Sequence, residues 1–152
     1  MKENMILIIS ATIESLGFAL LFRVRKDRLI YGTIGGMVTI TIYLWLFSIH
    51  QDAFLSNLIA GIFATAYSEI FARVLKSPAI VFLVPSVIPL VPGGSLYYAM
   101  RAFILNDEPE FSSHLHNTFS TGIGIAVSII LVSIFFYYLK SLRKKLSINA
   151  SG

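Results

Sequence analysis

Five apolar runs, each close to the length of a membrane-spanning helix, dominate this sequence. They cover residues 5–22, 30–49, 53–72, 78–105 and 117–139. A helix needs about 20 mostly apolar residues to cross the hydrocarbon core of a bilayer. Only 13% of the residues are charged, which is about half the share found in a soluble domain. The runs therefore predict an all-α integral membrane bundle with five transmembrane spans.

The runs leave no stretch long enough for a separate soluble domain. We interpret residues 1–146 as a single transmembrane domain and predict a disordered polar tail over 147–152. The first run contains Glu14 and has no evident cleavage site, so we interpret it as a retained span and not as a signal peptide. The chain has no cysteine, which excludes disulfides, a Cys-based metal site and a thiol nucleophile.

The basic residues gather on one side of a five-span chain. Ten of the twelve follow the first, third and fifth runs, whereas the opposite side carries Lys2 and the acidic segments 50–52 and 106–110. Cytoplasmic loops carry an excess of Lys and Arg. We therefore predict a protein of the plasma (inner) membrane with its N-terminus outside and its C-terminus in the cytoplasm. This pattern favours contact with lipid and not with nucleic acid.

The fourth run is interrupted by residues 84–94, which read Val-Pro-Ser-Val-Ile-Pro-Leu-Val-Pro-Gly-Gly. Each proline removes a backbone N–H, and hydrocarbon offers no water to the freed carbonyls. Broken backbone at membrane depth is tolerated where it is buried or lines a cavity, and interrupted helices commonly carry the substrate site of secondary transporters. We predict two half-helices, about 78–90 and 95–105, joined by an irregular stretch near 91–94.

The residues of this break are the first candidates for a substrate site. They are Pro85, Pro89, Pro92, Gly93 and Gly94. Glycine has no Cβ and lets a ligand approach the backbone closely. The N-terminus of the second half-helix would present N–H groups and a positive dipole end to a carboxylate. The alternative is a purely structural kink that packs against a neighbouring helix.

Three ionisable residues inside the runs are candidates for coupling or gating. Glu14 lies mid-span, where a charge costs about 2.5–3.5 kcal/mol on insertion scales. It is either a proton-coupling carboxylate or a structural contact to another helix or subunit. Glu69 and Arg73 are four residues apart in the favourable order for a helical ion pair. They form either a local anchor or a gate.

The remaining polar residues give weaker signals. Arg101 is either a bidentate ligand for a carboxylate or a side chain that snorkels to the outer surface. His114 and His116 are a weak metal signature, and we predict no metal site and no cofactor. The chain has no arrangement typical of a hydrolase, a Walker loop or a dinucleotide site. We therefore expect no catalytic residues and no enzyme.

A specific motif lies at the centre of the break. It reads Pro85-Ser86-Val87-Ile88-Pro89-Leu90-Val91-Pro92-Gly93-Gly94 and is followed by Tyr97. With the five-span plan and the chain length, this motif resembles the small subunit of the split threonine/serine exporter (ThrE-type) family. That subunit matches the C-terminal domain of the fused exporters. The resemblance adds Tyr97 to the substrate-binding candidates.

The resemblance implies a secondary exporter of small carboxylate-bearing metabolites that works by gradient-driven alternating access. Threonine and serine are the leading solutes, and a dicarboxylate such as succinate is the alternative. It also implies a large-subunit membrane partner. Two other classes stay open: a non-transporting accessory subunit and a homo-oligomeric channel. The glycines at 32, 35, 36, 122 and 124 permit close helix packing, either within the chain or between copies.

Overall fold

A computed structural model describes the backbone of residues 2–149 and the side chains of residues 4–142. Within that range the secondary structure is entirely helical, which confirms the all-α prediction. The helices are α1 (Lys2–Leu21), α2 (Lys26–His50), α3 (Ala53–Val74), α4 (Ile80–Val87), a 3₁₀ turn (Ile88–Leu90), α5 (Gly93–Ile104) and α6 (Glu108–Asn149). The predicted tail 147–152 is described only as far as Asn149, and residues 150–152 lie outside the described part.

Four of these helices are long and apolar enough to cross a membrane. They are α1, α2, α3 and α6. The segment Ile80–Leu90 and α5 meet at a bend of 46° and make a fifth span if they are taken together. The structure therefore agrees with the predicted helical membrane bundle in which the fourth run is broken. The break itself comprises Val91 and Pro92, and α5 begins at Gly93, two residues earlier than predicted.

The last helix is much longer than the predicted fifth span. The sequence placed a loop before residue 117, whereas α6 begins at Glu108 and contains 42 residues. Asp107 accepts a hydrogen bond from the backbone N–H of Glu110 at 3.1 Å, which satisfies a free donor in the first turn. Phe111 packs on Phe103 of α5 with ring centroids 5.6 Å apart. Local capping and this contact extend the helix beyond the apolar run.

The prolines of the fourth run explain how α1, α2 and α4 pack. In a regular helix the carbonyl of Pro85 would accept a bond from the N–H of residue 89, but Pro89 has no N–H. The hydroxyl of Ser15 in α1 donates to this carbonyl instead, at 2.8 Å. Gly36 of α2 packs against this hydrogen bond. A Cβ at Gly36 would stand 2.8 Å from the Pro85 carbonyl oxygen and would overlap Ser15.

Most of the glycines highlighted by the sequence are used for packing inside the chain. Gly32 faces the ring of Pro85, Gly35 faces Ser86 and Tyr67, and Gly124 of α6 faces the backbone of Phe54 in α3. A Cβ added at Gly122, by contrast, would have no neighbouring atom within 4 Å. The close approaches of α2 to α4 and of α3 to α6 therefore depend on glycine. Helix α5 packs chiefly on α6.

Candidate functional site

A small pocket lies beside the helix break. Its volume is about 140 Å³. The break contributes one wall, with Pro89, Pro92 and Ser95, and three other helices contribute one polar side chain each. These side chains are Tyr43 of α2, Asn57 of α3 and Thr121 of α6. Because Tyr43 comes seven residues before the end of α2, the pocket lies about 10 Å inside that end of the bundle.

The start of α5 offers unpaired backbone donors next to this pocket. The N–H of Gly93 bonds to the Val91 carbonyl at 2.8 Å, and that of Leu96 bonds to the Pro92 carbonyl at 3.0 Å. In the described part of the chain, the N–H groups of Gly94 and Ser95 have no backbone acceptor. No atom lies within 4 Å of the position that a Cβ of Gly94 would take. Free donors at a helix N-terminus favour an anion.

Asn57 lines the same pocket and carries an unpaired, buried acceptor. Its side-chain amide donates to the Ala53 carbonyl at 2.7 Å and to the Thr121 hydroxyl at 3.3 Å. Both amide hydrogens are thereby used, while Oδ1 has no partner although the residue is only 1% exposed. An unpaired buried acceptor costs about 1–3 kcal/mol. A donor from a bound solute or a water would relieve this cost.

The structure brings some of the predicted substrate-binding residues together and separates others. Pro89 and Pro92 line the pocket, and Gly93 and Gly94 adjoin it at the start of α5. Pro85 lies in the core, where it contacts Gly32 and Ser15.

The other two predicted substrate-binding residues lie on a different surface of α5. Tyr97 and Arg101 are exposed there and line a shallow depression with Met100, Ile104 and Leu105. This depression shares no lining residue with the pocket at the break.

Sequence reasoning missed several walls of the pocket. By its type, Asn57 is one polar position among several in the third run, and Tyr43 in the second run is typical of an interface or lipid-facing residue. Tyr43 is instead half-buried beside the break. Ser95 and Thr121 carried no signal of their own. The hydroxyl groups of helical residues often donate a hydrogen bond to a backbone carbonyl of their own helix. The residue type alone therefore does not reveal a site.

The three coupling candidates lie away from the pocket. Glu14 is exposed on α1, although its neighbour Ser15 is buried in the core. Glu69 and Arg73 form the expected ion pair at 3.3 Å, and the guanidinium of Arg73 lies 4.4 Å from the ring centre of Phe136 in α6. This pair lines a separate cavity of about 610 Å³ between α3 and α6.

The two histidines in the first part of α6 have local contacts. His114 stacks on Tyr98 at 5.4 Å and lies 3.7 Å from the Glu110 carboxylate. His116 is 3.5 Å from the hydroxyl of Ser120. Among the residues that the structure describes, no three metal-binding side chains form a cluster.

Comparison with known proteins identifies a family. Residues 7–135 match the family model described as Threonine/Serine exporter, ThrE. The match includes α2, α3, α4 and α5 entirely, with most of α1 and two-thirds of α6, and therefore the whole pocket. No curated protein and no solved structure matches the chain.

Proposed function

The chain belongs to the threonine/serine exporter (ThrE) family, and we propose that it is one subunit of a two-component secondary exporter of threonine and serine. The observation that carries this proposal is the pocket at the break. It combines free backbone donors with an unpaired buried acceptor. A zwitterionic amino acid carries the complementary pair of groups, an anionic carboxylate and a cationic ammonium.

The proposed binding mode assigns each group of the solute a partner. The carboxylate accepts hydrogen bonds from the N–H groups of Gly94 and Ser95 at the positive end of α5. The ammonium donates to Oδ1 of Asn57, and the hydroxyl of the solute is left for Tyr43 or Thr121. The volume of about 140 Å³ is well below the roughly 300–1,000 Å³ of pockets for drug-sized ligands, so it suits a small solute.

The same polarity argues against a dicarboxylate in this pocket. A second carboxylate of succinate would place an anionic acceptor next to Oδ1 of Asn57, where neither group has a proton to share. Arg101, the cation that sequence reasoning offered for such a solute, lines a different depression. The pocket therefore favours threonine and serine over succinate.

We propose alternating access about the break as the transport step. The two residues Val91 and Pro92 join α4 and its 3₁₀ turn to α5 without continuous helical hydrogen bonding. The segment before the break packs on α1, α2 and α3, whereas α5 packs chiefly on α6. Because α6 also packs extensively on α3, movement of α5 about the break would open and close the pocket, with an ion or proton gradient as the driving force.

Glu14 supports the proposal that a second membrane chain completes the exporter. Helix α1 packs on α2 and α4, and Glu14 lies on the surface left uncovered. A carboxylate facing lipid at mid-span is costly, so such residues usually face protein or a water-filled cavity. A large subunit over this surface would cover Glu14 and place it where a proton could be exchanged. The Glu69–Arg73 pair stays a candidate gate.

The first test concerns the pocket and uses the absence of native cysteine. In Ser95→Cys, the only thiol of this chain stands at the proposed carboxylate site. The test uses membranes that carry the chain with its partner. At ten times its Kd, threonine leaves only about a tenth of the sites empty, so it should slow maleimide labelling about tenfold. Succinate should not protect. Ser113→Cys, on the exposed part of α6, is the control, and equal effects of threonine on both thiols would contradict the assignment.

The second test concerns coupling through Glu14. Glu14→Gln preserves the size and hydrogen-bonding capacity of the side chain but removes its titratable proton. Threonine uptake into inverted vesicles should lose its acceleration by an imposed proton gradient, while the partner chain still co-purifies. The exposed Glu108→Gln serves as the matched control. Retained acceleration together with weaker co-purification would instead assign Glu14 to subunit contact alone.

A further inference from the structure

The cavity between α3 and α6 lies at the end of the bundle where the basic residues gather. Its volume is about 610 Å³, more than four times that of the pocket at the break. The charged side chains in its wall are Glu69, Arg73 and Lys140. Arg73 already faces Glu69 at 3.3 Å, whereas Lys140 has no ion-pair partner among the residues whose side chains are described. The cavity therefore has an uncompensated positive charge.

The rest of the wall combines apolar surface with hydroxyl groups. The apolar residues include Ala72, Phe136 and Leu139, and the hydroxyls come from Ser133 and Tyr137. The Ser133 hydroxyl makes no hydrogen bond within the described part of the chain, so it can donate to a ligand. A solute with a phosphate and a long apolar portion would satisfy both kinds of surface.

A shallow trough continues from this cavity along α6. It shares Ser133 and Tyr137 with the cavity and adds Ile134 and Tyr138. Ile134 is exposed and lies more than one helical turn from Lys140, toward the middle of the apolar span. Exposed Ile70 and Val74 lie on the neighbouring α3. The charged cavity therefore leads into an exposed apolar surface.

We propose that this cavity binds the headgroup of an anionic phospholipid, with an acyl chain in the adjoining trough. Lys140 provides the main charge for the phosphate, the exposed edge of Arg73 a second contact, and Ser133 a hydrogen bond. Basic pockets between helices on the cytoplasmic side are suited to anionic headgroups. The predicted orientation places the cavity on that side. This inference does not depend on the solute that the protein transports.

The test uses the full chain in bilayers of phosphatidylcholine with increasing phosphatidylglycerol. We expect the thermal unfolding midpoint to rise with the phosphatidylglycerol fraction. In Lys140→Gln the fraction needed for half of the rise should increase at least about tenfold, because the phosphate loses a hydrogen bond to a charged group. Lys76→Gln removes the same charge at the same end of the bundle but outside the cavity wall, and it should increase that fraction clearly less, by the general attraction to an anionic surface alone.

Three results would overturn the proposal. The first is that phosphatidylglycerol fails to raise the midpoint. The second is an equal response of Lys76→Gln and Lys140→Gln, which would indicate general surface charge. The third is that inorganic phosphate reproduces the rise in pure phosphatidylcholine, which would show that the cavity takes a soluble anion. A Ser133→Ala variant with a measurable loss that is smaller than that of Lys140→Gln would support the hydrogen bond assigned to Ser133, and a variant without any loss would contradict it.

Discussion

The Asn57→Leu variant is expected to insert normally and to lose at least about nine-tenths of its threonine transport efficiency, measured as kcat/KM in inverted vesicles. Leucine has a similar size but removes the acceptor proposed for the ammonium of the solute. A hydrogen bond to a charged group contributes roughly 1.5–3 kcal/mol, and each 1.4 kcal/mol corresponds to about tenfold in affinity. The loss should therefore lie between about tenfold and more than a hundredfold.

Two further variants separate a binding defect from a folding defect. Thr121→Val removes the acceptor of only one Asn57 amide hydrogen, at 3.3 Å, so it should reduce transport less than Asn57→Leu. Thr41→Val is the matched control, because Thr41 is exposed and bonds only to the Met37 carbonyl of its own helix. Normal transport by an inserted Asn57→Leu protein would place the solute elsewhere.

The Gly36→Val variant is expected to produce the largest loss of stability. The first atom of a side chain at Gly36 would stand 2.8 Å from the Pro85 carbonyl oxygen and would overlap Ser15. The oxygen belongs to the backbone of α4 and cannot rotate away, and the Ser15–Pro85 hydrogen bond of 2.8 Å would have to break. Overpacking of a core typically costs about 1–3 kcal/mol, and the lost hydrogen bond leaves a buried carbonyl unpaired.

We expect Gly36→Val to lower the unfolding midpoint of the detergent-solubilised chain by several degrees or to prevent accumulation of folded protein. Gly122→Val adds the same side chain to a helix position with open space around it and should leave the midpoint unchanged. Equal midpoints for the two variants would show that α1, α2 and α4 do not pack as described.

The location of the helix break follows directly from the sequence. Proline cannot donate a backbone hydrogen bond, and Pro92 followed by two glycines makes continuation of a helix unfavourable. These are properties of the local chain, and they predicted the break to within two residues. The apolar runs are also a property of the local chain, and they predicted the membrane-spanning helices. The exception is α6, whose early start is supported by the Asp107 cap and by the contact between Phe103 and Phe111, and hydropathy registers neither of them.

The far walls of the pocket could not be predicted in this way. Asn57, Tyr43 and Thr121 come from three different helices, and their meeting depends on how each helix is rotated about its axis. The faces of a membrane helix differ little in hydrophobicity, so the sequence does not determine that rotation. Arg101 shows the reverse situation, because it lies on α5, which begins at the break, but lines a different surface. Position in the sequence therefore located the break but not the side chains that surround it.

The most direct measurement of the central claim is uptake of labelled threonine, with succinate for comparison, into inverted membrane vesicles under an imposed proton gradient. The vesicles would carry this chain together with its large membrane partner, and each chain alone would be the control. We expect saturable threonine uptake that requires both chains and exceeds succinate uptake. Preference for succinate, or no threonine uptake with both chains inserted, would contradict a threonine/serine exporter built around the pocket at the break.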